Sequence, residues 1–206
     1  MKRVVVGVVD YAVGNLASVK QSIESLGYRT RISNKIAELE KVDCLFLPGV
    51  GAFPSAMKAL SNDYLDRHII ERALSGTPII GICLGMQLLL TRSYEVQETK
   101  GLGLIPGEVI PLRSGEMHVG WNDLEVVTPE PMFSQSHGDT VYFNHSFMAN
   151  TDLRYYAAVS RMSRFSDPFP VAIHCENIVG LQFHPEKSQE AGRQLLRSLV
   201  DGLCDA

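Results

Sequence analysis

The chain has 206 residues, 45% of them hydrophobic and 20% charged, with a formal net charge of −4 at pH 7. That is room for one α/β domain with a full core, residues 1–206, and the balance is ordinary for a soluble globular protein. No run of Lys or Arg gives a nucleic-acid role an electrostatic footprint, and no apolar segment is long enough to span a membrane. The opening Met1-Lys2-Arg3 precedes an apolar run, but Asp10 ends that run after six residues, short of a signal-peptide core. The four cysteines are spaced too irregularly for a zinc site or a disulfide framework, so the expectation is a reduced, cytoplasmic protein with no metal and no cofactor.

Val4–Val9 reads as a buried first strand. Asp10–Asn15 is a turn, and Leu16, Val19, Ile23 and Leu26 recur at helical spacing before Gly27, a good residue for a helix end. Arg29–Ile32 is a second strand, Ile36–Lys41 a short helix and Asp43–Leu47 a third strand. Strands alternating with helices at this spacing predict a mostly parallel, doubly wound sheet flanked by helices. The third strand runs into Pro48-Gly49-Val50-Gly51-Ala52-Phe53, and Phe53–Leu60 and Tyr64–Leu74 look helical. Two glycines around one ordinary residue allow a peptide unit to take unusual dihedrals or to flip.

Thr77–Leu90, TPIIGICLGMQLLL, organises the rest. Pro78-Ile79-Ile80 suits a buried strand, and Met86–Leu90 are strong helix formers. Between them Gly81-Ile82-Cys83-Leu84-Gly85 has the shape of a nucleophile elbow with Cys in place of Ser. Small residues flank the apex, and Cys83 is presented at a helix N-terminus, an environment that favours thiolate. Cys44, Cys175 and Cys204 lack such a turn and read as packing residues. In an open α/β sheet ligands bind beyond the carboxyl ends of strands, which places the Pro48–Phe53 loop and Cys83 at one edge. There a backbone N–H of the loop is a candidate oxyanion donor.

The elbow helix fades near Thr91–Tyr94, and Glu95–Gly101 is a polar loop. From Leu102 to about Ser160, short runs at Val109–Leu112, His118–Val127, Val141–Ala149 and Tyr155–Val159 predict an antiparallel addition to the sheet. Val171–Cys175 and Ile178–Phe183 make a hairpin around Glu176-Asn177, and Gln189–Leu203 is a closing amphipathic helix. His184 follows the last strand directly and reaches the same edge as Cys83. Glu186 is two residues on, facing the same way if the backbone stays extended. A thiolate, an imidazole that moves protons and a carboxylate that fixes the tautomer form a nucleophilic set. His68, His137 and His174 read as satisfied core or surface residues, while His118 and His145 lie in aromatic segments near the cleft.

GICLGMQ at Gly81–Gln87 with FHPE at Phe183–Glu186 resembles the class I, triad-type glutamine amidotransferases. PGVGAF at Pro48–Phe53, DYAVGNLASV at Asp10–Val19, GWN at Gly120–Asn122, YFNHSF at Tyr142–Phe147 and GLQFHPEKS at Gly180–Ser188 extend the likeness over nearly the whole chain, toward the branch of glutaminase subunits that serve imidazole glycerol phosphate synthase in histidine biosynthesis. The resemblance implies that Cys83, His184 and Glu186 are catalytic and that Leu84 with Val50 or Gly51 supplies the oxyanion hole. It maps the L-glutamine pocket onto Gly49, Gly51, Gln87 and Glu95, with backbone help from His145, Ser146 and Phe147. It also implies a separate (β/α)₈-barrel synthase subunit as partner in a heterodimer, receiving channelled ammonia on a face that includes Asn15, Trp121, Tyr142 and Lys187. Trp121 reads equally well as an interface anchor or as a buried core aromatic. Ala12, Glu116–Val119, Asn144 and Phe147 depart from the usual wording of the branch, all on the side expected to face the synthase. That leaves open a paralogue feeding ammonia to another acceptor, such as a sugar amidotransferase of surface-polysaccharide synthesis, as well as a silent regulatory subunit or a cysteine peptidase on a related sheet.

Overall fold

A computed structural model describes residues 4–112, 116–162 and 167–204, so the basic start at residues 1–3 lies outside the described residues. The first half follows the alternation of apolar and amphipathic runs. β1 (Val5–Val9), α1 (Leu16–Ser25), β2 (Arg29–Ser33), α2 (Ile36–Leu39), β3 (Cys44–Gly49), α3 (Phe53–Asn62), α4 (Leu65–Leu74), β4 (Ile79–Cys83) and α5 (Leu84–Leu88) come in that order. Seven short strands follow: β5 (Leu90–Ser93), β6 (Thr99–Lys100), β7 (Ile105–Pro111), β8 (His118–Asp123), β9 (Glu125–Val126), β10 (Thr140–His145) and β11 (Phe147–Asn150). The chain ends with β12 (Tyr156–Ser160), β13 (Phe169–Cys175), β14 (Ile178–Leu181) and α6 (Gln189–Cys204).

The main sheet has eight strands in the order β2-β1-β3-β4-β14-β13-β12-β9. The five from β2 to β14 run parallel, and β13, β12 and β9 extend it antiparallel. Side chains alternate between its faces. Val6, Val8, Phe46, Ile80, Ile82, Val179 and Leu181 pack with Val19 and Ile23 of α1 and with Leu195, Leu196, Leu199 and Val200 of α6. Val9, Leu45, Leu47 and Ile79 turn to the opposite face, against Phe53, Ala56 and Leu60 of α3 and Leu65, Ile69 and Ala73 of α4. Both faces are covered, which is why the parallel strands read as unbroken apolar runs.

Two expectations need correction. The elbow helix is a single turn, Leu84–Leu88, and Leu90–Ser93 is a strand. Leu88, Leu89 and Leu90 are completely buried, and their carbonyls accept from Leu102, Gly103, Leu104 and Ile105. Tertiary pairing outweighs helix propensity there. The antiparallel addition is also divided: only part of it joins the main sheet, while β8 and β10 form their own ladder and β11-β7-β5-β6 a four-stranded sheet. The chain passes between these two at Ser146, whose carbonyl accepts from Leu112 N–H at 2.8 Å. Among the described residues no helix is long and apolar enough to cross a membrane.

The parallel strands converge at their carboxyl ends, where Gly49 of β3 pairs with Cys83 of β4 and Leu181 of β14 with Ile82. The elbow sits close on β3: a Cβ at Gly85 would lie 1.6 Å from the Leu47 carbonyl oxygen, and one at Gly81 would lie 2.6 Å from the Gly85 carbonyl oxygen. Gly85→Ala therefore forces backbone against backbone and is expected to cost about 3 kcal/mol, measured as a lowered urea midpoint. An unchanged midpoint would remove this account of the glycine.

Candidate active site

Cys83 ends β4 and caps α5, with φ 54° and ψ −109°. A positive φ at a non-glycine residue is strained and concentrates at functional positions. The thiol is buried, 6% exposed, and its Sγ lies 3.9 Å from the Asn144 carbonyl oxygen. Beside it runs the Pro48–Gly51 loop, with Val50 exposed and Gly51 at φ +100°, a conformation that glycine permits. The buried Tyr11 hydroxyl donates to the Pro48 carbonyl at 2.6 Å and ties down the start of this loop. Burial first, and the nearby Cys83 sulfur second, push the Tyr11 phenol well above its ordinary pKa, so it stays a neutral donor. Gly49 lies behind the wall of the site, because a Cβ there would meet Tyr11 Oη at 2.3 Å and Leu84 Cβ at 3.1 Å.

His184 comes three residues after β14. Its N–H donates to the Tyr142 carbonyl at 2.9 Å, and its carbonyl accepts from Ser188 Oγ at 2.7 Å. Glu186 is not in extended backbone as the sequence suggested. Pro185–Lys187 form a 3₁₀ turn, closed by Lys187 N–H on the His184 carbonyl and Ser188 N–H on the Pro185 carbonyl, each at 3.0 Å. The turn folds Glu186 back onto the ring, with His184 Nδ1–H donating to Glu186 Oε1 at 2.8 Å and the two side chains 4% and 2% exposed. His184 Nε2 is buried and makes no hydrogen bond within ordinary distance, though the Cys83 sulfur is near enough to act on the ring. Burial alone lowers the imidazole pKa, but interaction with Cys83 and Glu186 outweighs it and pushes the ring up to about 9.

A cavity of about 350 Å³ brings together Cys83, Leu84, Val50, Gly51, Gln87 and Glu95, with His145, Ser146 and Phe147 forming the facing wall. Glu95, more than a solvated loop charge, accepts from Phe53 N–H at 2.6 Å and so also caps α3. Two lining residues, Met117 and Asn144, escaped assignment to the site, although the sequence marks both as departures from the usual wording of the branch. So did Gln182, whose amide nitrogen lies 3.9 Å from Cys83 Sγ. Its place two residues before His184 was the one sequence signal that could have singled it out. His118 and His145 form a buried pair, Nδ1 to Nε2 at 3.0 Å. Burial pushes His118 down to about 4, and burial, partly opposed by the bond to the Phe147 carbonyl, pushes His145 down to about 3.

The residues expected at a partner face lie outside the cavity. Asn15 is exposed and caps α1 through Ser18 N–H at 3.3 Å. Trp121 is 50% exposed, which removes the buried-core reading. Its ring lies 5.8 Å from that of Tyr142, Lys187 Nζ sits 5.6 Å from the Tyr142 ring centre, and that ring is 6.5 Å from the His184 ring. Among the described residues no cluster of three His, Cys, Asp or Glu side chains is placed to hold a metal ion.

Residues 7–201 match the family model described as glutamine amidotransferase class-I. A protein of Lactococcus lactis named imidazole glycerol phosphate synthase subunit HisH is 43% identical over 98% of this chain and 99% of its own length. One of the same name from Carboxydothermus hydrogenoformans is 44% identical over 95% and 98%. Among solved structures, one described as a glutamine amidotransferase superposes with a TM-score of 0.76 at 21% identity, covering 98% of this chain and 99% of that one, which supports the fold alone. With its elbow cysteine, its His–Glu pair and a family match over almost its whole length, the chain belongs to the class I glutamine amidotransferases.

Proposed function

We propose that this chain is the glutaminase subunit of an imidazole glycerol phosphate synthase, hydrolysing L-glutamine to glutamate and ammonia for a (β/α)₈-barrel synthase subunit of histidine biosynthesis. The observation that carries the chemistry is the buried His184–Glu186 pair beside the strained Cys83, on the cavity that also holds Gln87 and Glu95. The pathway rests on near full-length relatives at 43% and 44% identity that bear that name. A sugar-modifying acceptor has no support among those relatives. One domain, residues 1–206, performs this work, since both cores are built on a single main sheet.

In the proposed cycle the Cys83 thiolate attacks the side-chain carbonyl carbon of glutamine, and the electron pair of the C=O moves onto oxygen. Leu84 N–H, at the start of α5, and an N–H of Val50 or Gly51 receive that oxyanion. His184, protonated at neutral pH, gives its Nε2 proton to the amide nitrogen, and ammonia leaves with formation of a thioester. Neutral His184 then takes a proton from water, whose oxygen attacks the thioester carbon, and the thiolate departs with glutamate formed. Glu186 holds Nδ1–H and so fixes the tautomer. Glu95, half-buried at the cavity wall, suits the substrate α-ammonium, and Gln87 lines the same cavity. A loop of Val50 between two glycines suits a peptide flip that completes the oxyanion hole when the synthase is loaded.

The exposed face around Trp121 supports the partner. Met117, Val119 and Trp121 alternate along one side and are 61%, 56% and 50% exposed. Aromatic anchors of this kind dominate interfaces.

Ammonia release from glutamine by the purified chain is expected to rise strongly with a histidine-pathway barrel synthase and its nucleotide ligand, and to vanish in Cys83→Ala. Turnover indifferent to that partner would reject the pathway, and full activity of the isolated chain would reject the loop switch. Trp121→Ala should weaken binding to the barrel subunit by about 2 kcal/mol, or roughly thirtyfold in Kd, as read by calorimetry; an unaltered Kd would place the interface elsewhere. The His184 ring, raised from 6.5 to about 9, contributes stability that is complete below pH 6.5 and lost as pH rises through about 9. Glu186→Gln removes the negative partner. The ring's NMR titration should move below about 9 and glutamine turnover should fall on the order of a hundredfold or more. A titration that stays in place would deny the carboxylate its role.

A further inference from the structure

Gln182 is completely buried and has no part in the cycle above. Its orientation is fixed by a chain of donors and acceptors that leaves no alternative. A peptide carbonyl only accepts. The Phe147 carbonyl therefore takes one hydrogen from His145 Nδ1 at 2.8 Å and one from Gln87 Nε2 at 3.3 Å. The other Gln87 hydrogen meets Gln182 Oε1 at 3.1 Å. Gln182 Nε2 is left facing Cys83 Sγ at 3.9 Å. Turning that amide over would set two donors against each other at Gln87. On the other side of Phe147, His145 keeps its proton on Nδ1, so its Nε2 accepts from His118 Nδ1 at 3.0 Å. His118 Nε2 in turn accepts from Asn122 Nδ2 at 3.4 Å, and the second hydrogen of that nitrogen goes to the Arg161 carbonyl at 2.8 Å. Every proton in the path is assigned, and it requires both rings neutral, the state that burial favours.

We propose that Gln182 is a further catalytic residue of this site, a fixed N–H donor to the Cys83 sulfur, and that Gln87, His145 and His118 are positioning residues that hold its amide in that orientation. The inference deepens the glutaminase reading and rests on it for the substrate, though not for the state of the sulfur. A donor aimed at a sulfur favours the charged form over the neutral one. It acts twice in the cycle. It holds thiolate ready for attack, and it receives the charge again when water has added to the thioester and the C–S bond breaks toward sulfur. The titratable groups around the sulfur are His184 from the turn after β14, backed by Glu186, the neutral Tyr11 phenol from the turn after β1, and Glu95 and the neutral His145, which line the same cavity. Replacing Gln182 alters none of these directly.

The test is alkylation of Cys83 by iodoacetamide across pH, read by mass spectrometry on the Cys83 peptide, in the full chain and in Gln182→Met. Methionine keeps the length and loses the donor. Near pH 7 the variant should react roughly tenfold more slowly, with its midpoint about one pH unit higher, and the two rates should merge at high pH. An unmoved midpoint, or a loss of equal size at every pH, overturns the proposal. Because the site is fully buried, a second measurement uses the unaltered chain labelled with ¹⁵N-glutamine. One side-chain NH₂ signal should titrate at the alkylation midpoint and lose that titration in Cys83→Ala; absence of such a signal overturns the proposal too. Iodoacetamide needs no glutamine pocket, so the two readings separate. A shifted midpoint in a chain that hydrolyses no glutamine keeps the donor and overturns the glutaminase, whereas an unshifted midpoint in an active glutaminase overturns the donor alone.

Discussion

The backbone of Cys83, held at φ 54° and ψ −109°, is the constraint on which the rest depends. A non-glycine residue in such a conformation costs of order 1–3 kcal/mol and persists only when its surroundings over-determine it. Here the surroundings are the parallel sheet. β3 and β14 clamp β4 from both sides, and pairing extends to Cys83 itself through Gly49. The turn that follows has room only because Gly81 and Gly85 carry no Cβ. The reward for the strain is geometric: the thiol projects over the sheet edge while the Leu84 N–H lies at the start of the next helix. No relaxed strand-to-helix connection presents both to the same point.

The same edge carries histidines in opposite protonation states, and environment alone separates them. His184 faces a carboxylate at 2.8 Å and the thiol, and its pKa rises to about 9. His145 is buried with no carboxylate beside it, and burial, only partly opposed by its bond to the Phe147 carbonyl, pushes it down to about 3. Had His145 been charged, a second cation would stand near His184 and oppose its protonation; a coulombic effect of His184 already helps keep His145 neutral. The arrangement confines the positive charge to the one ring that a carboxylate holds.

Much of the fold, and the placing of Cys83 near the His184–Glu186 pair, was legible in sequence because both rest on local rules. Apolar runs bounded by Gly and Pro marked β1, β3 and β4, and the glycines around Cys83 marked the elbow. What escaped notice was non-local. Leu88–Leu90 have the propensity of a helix and end as a turn and a strand, because their carbonyls are claimed by residues 102–105. Glu186 was read in extended backbone, but Ser188 closes a turn that no periodicity announces. Gln182 lies within the GLQFHPEKS stretch, where nothing local marks its side chain. Its role depends on Gln87 and Phe147, 95 and 35 positions earlier in the chain, and only the three-dimensional arrangement decides which end of its amide meets sulfur.

β8 shows how one strand serves two purposes. Its period of two divides it into an outer row, Val119, Trp121 and Asp123, exposed and continued by the exposed Met117, and an inner row with His118 buried and Asn122 half-buried. The outer row can be covered by a partner only if the strand keeps its place. The inner row keeps it there, since Asn122 bonds to the Arg161 carbonyl and His118 to His145. The ring of His145 then bonds to the Phe147 carbonyl that Gln87 also holds. A displacement of β8 therefore cannot remain local. It pulls on a path of hydrogen bonds, buried at its His118–His145 and Gln87–Gln182 links, where a lost partner leaves an unsatisfied polar group. This polar row is one route from the proposed docking face to Cys83, and its bond directions follow from the carbonyls at its two ends, Phe147 and Arg161, which can only accept.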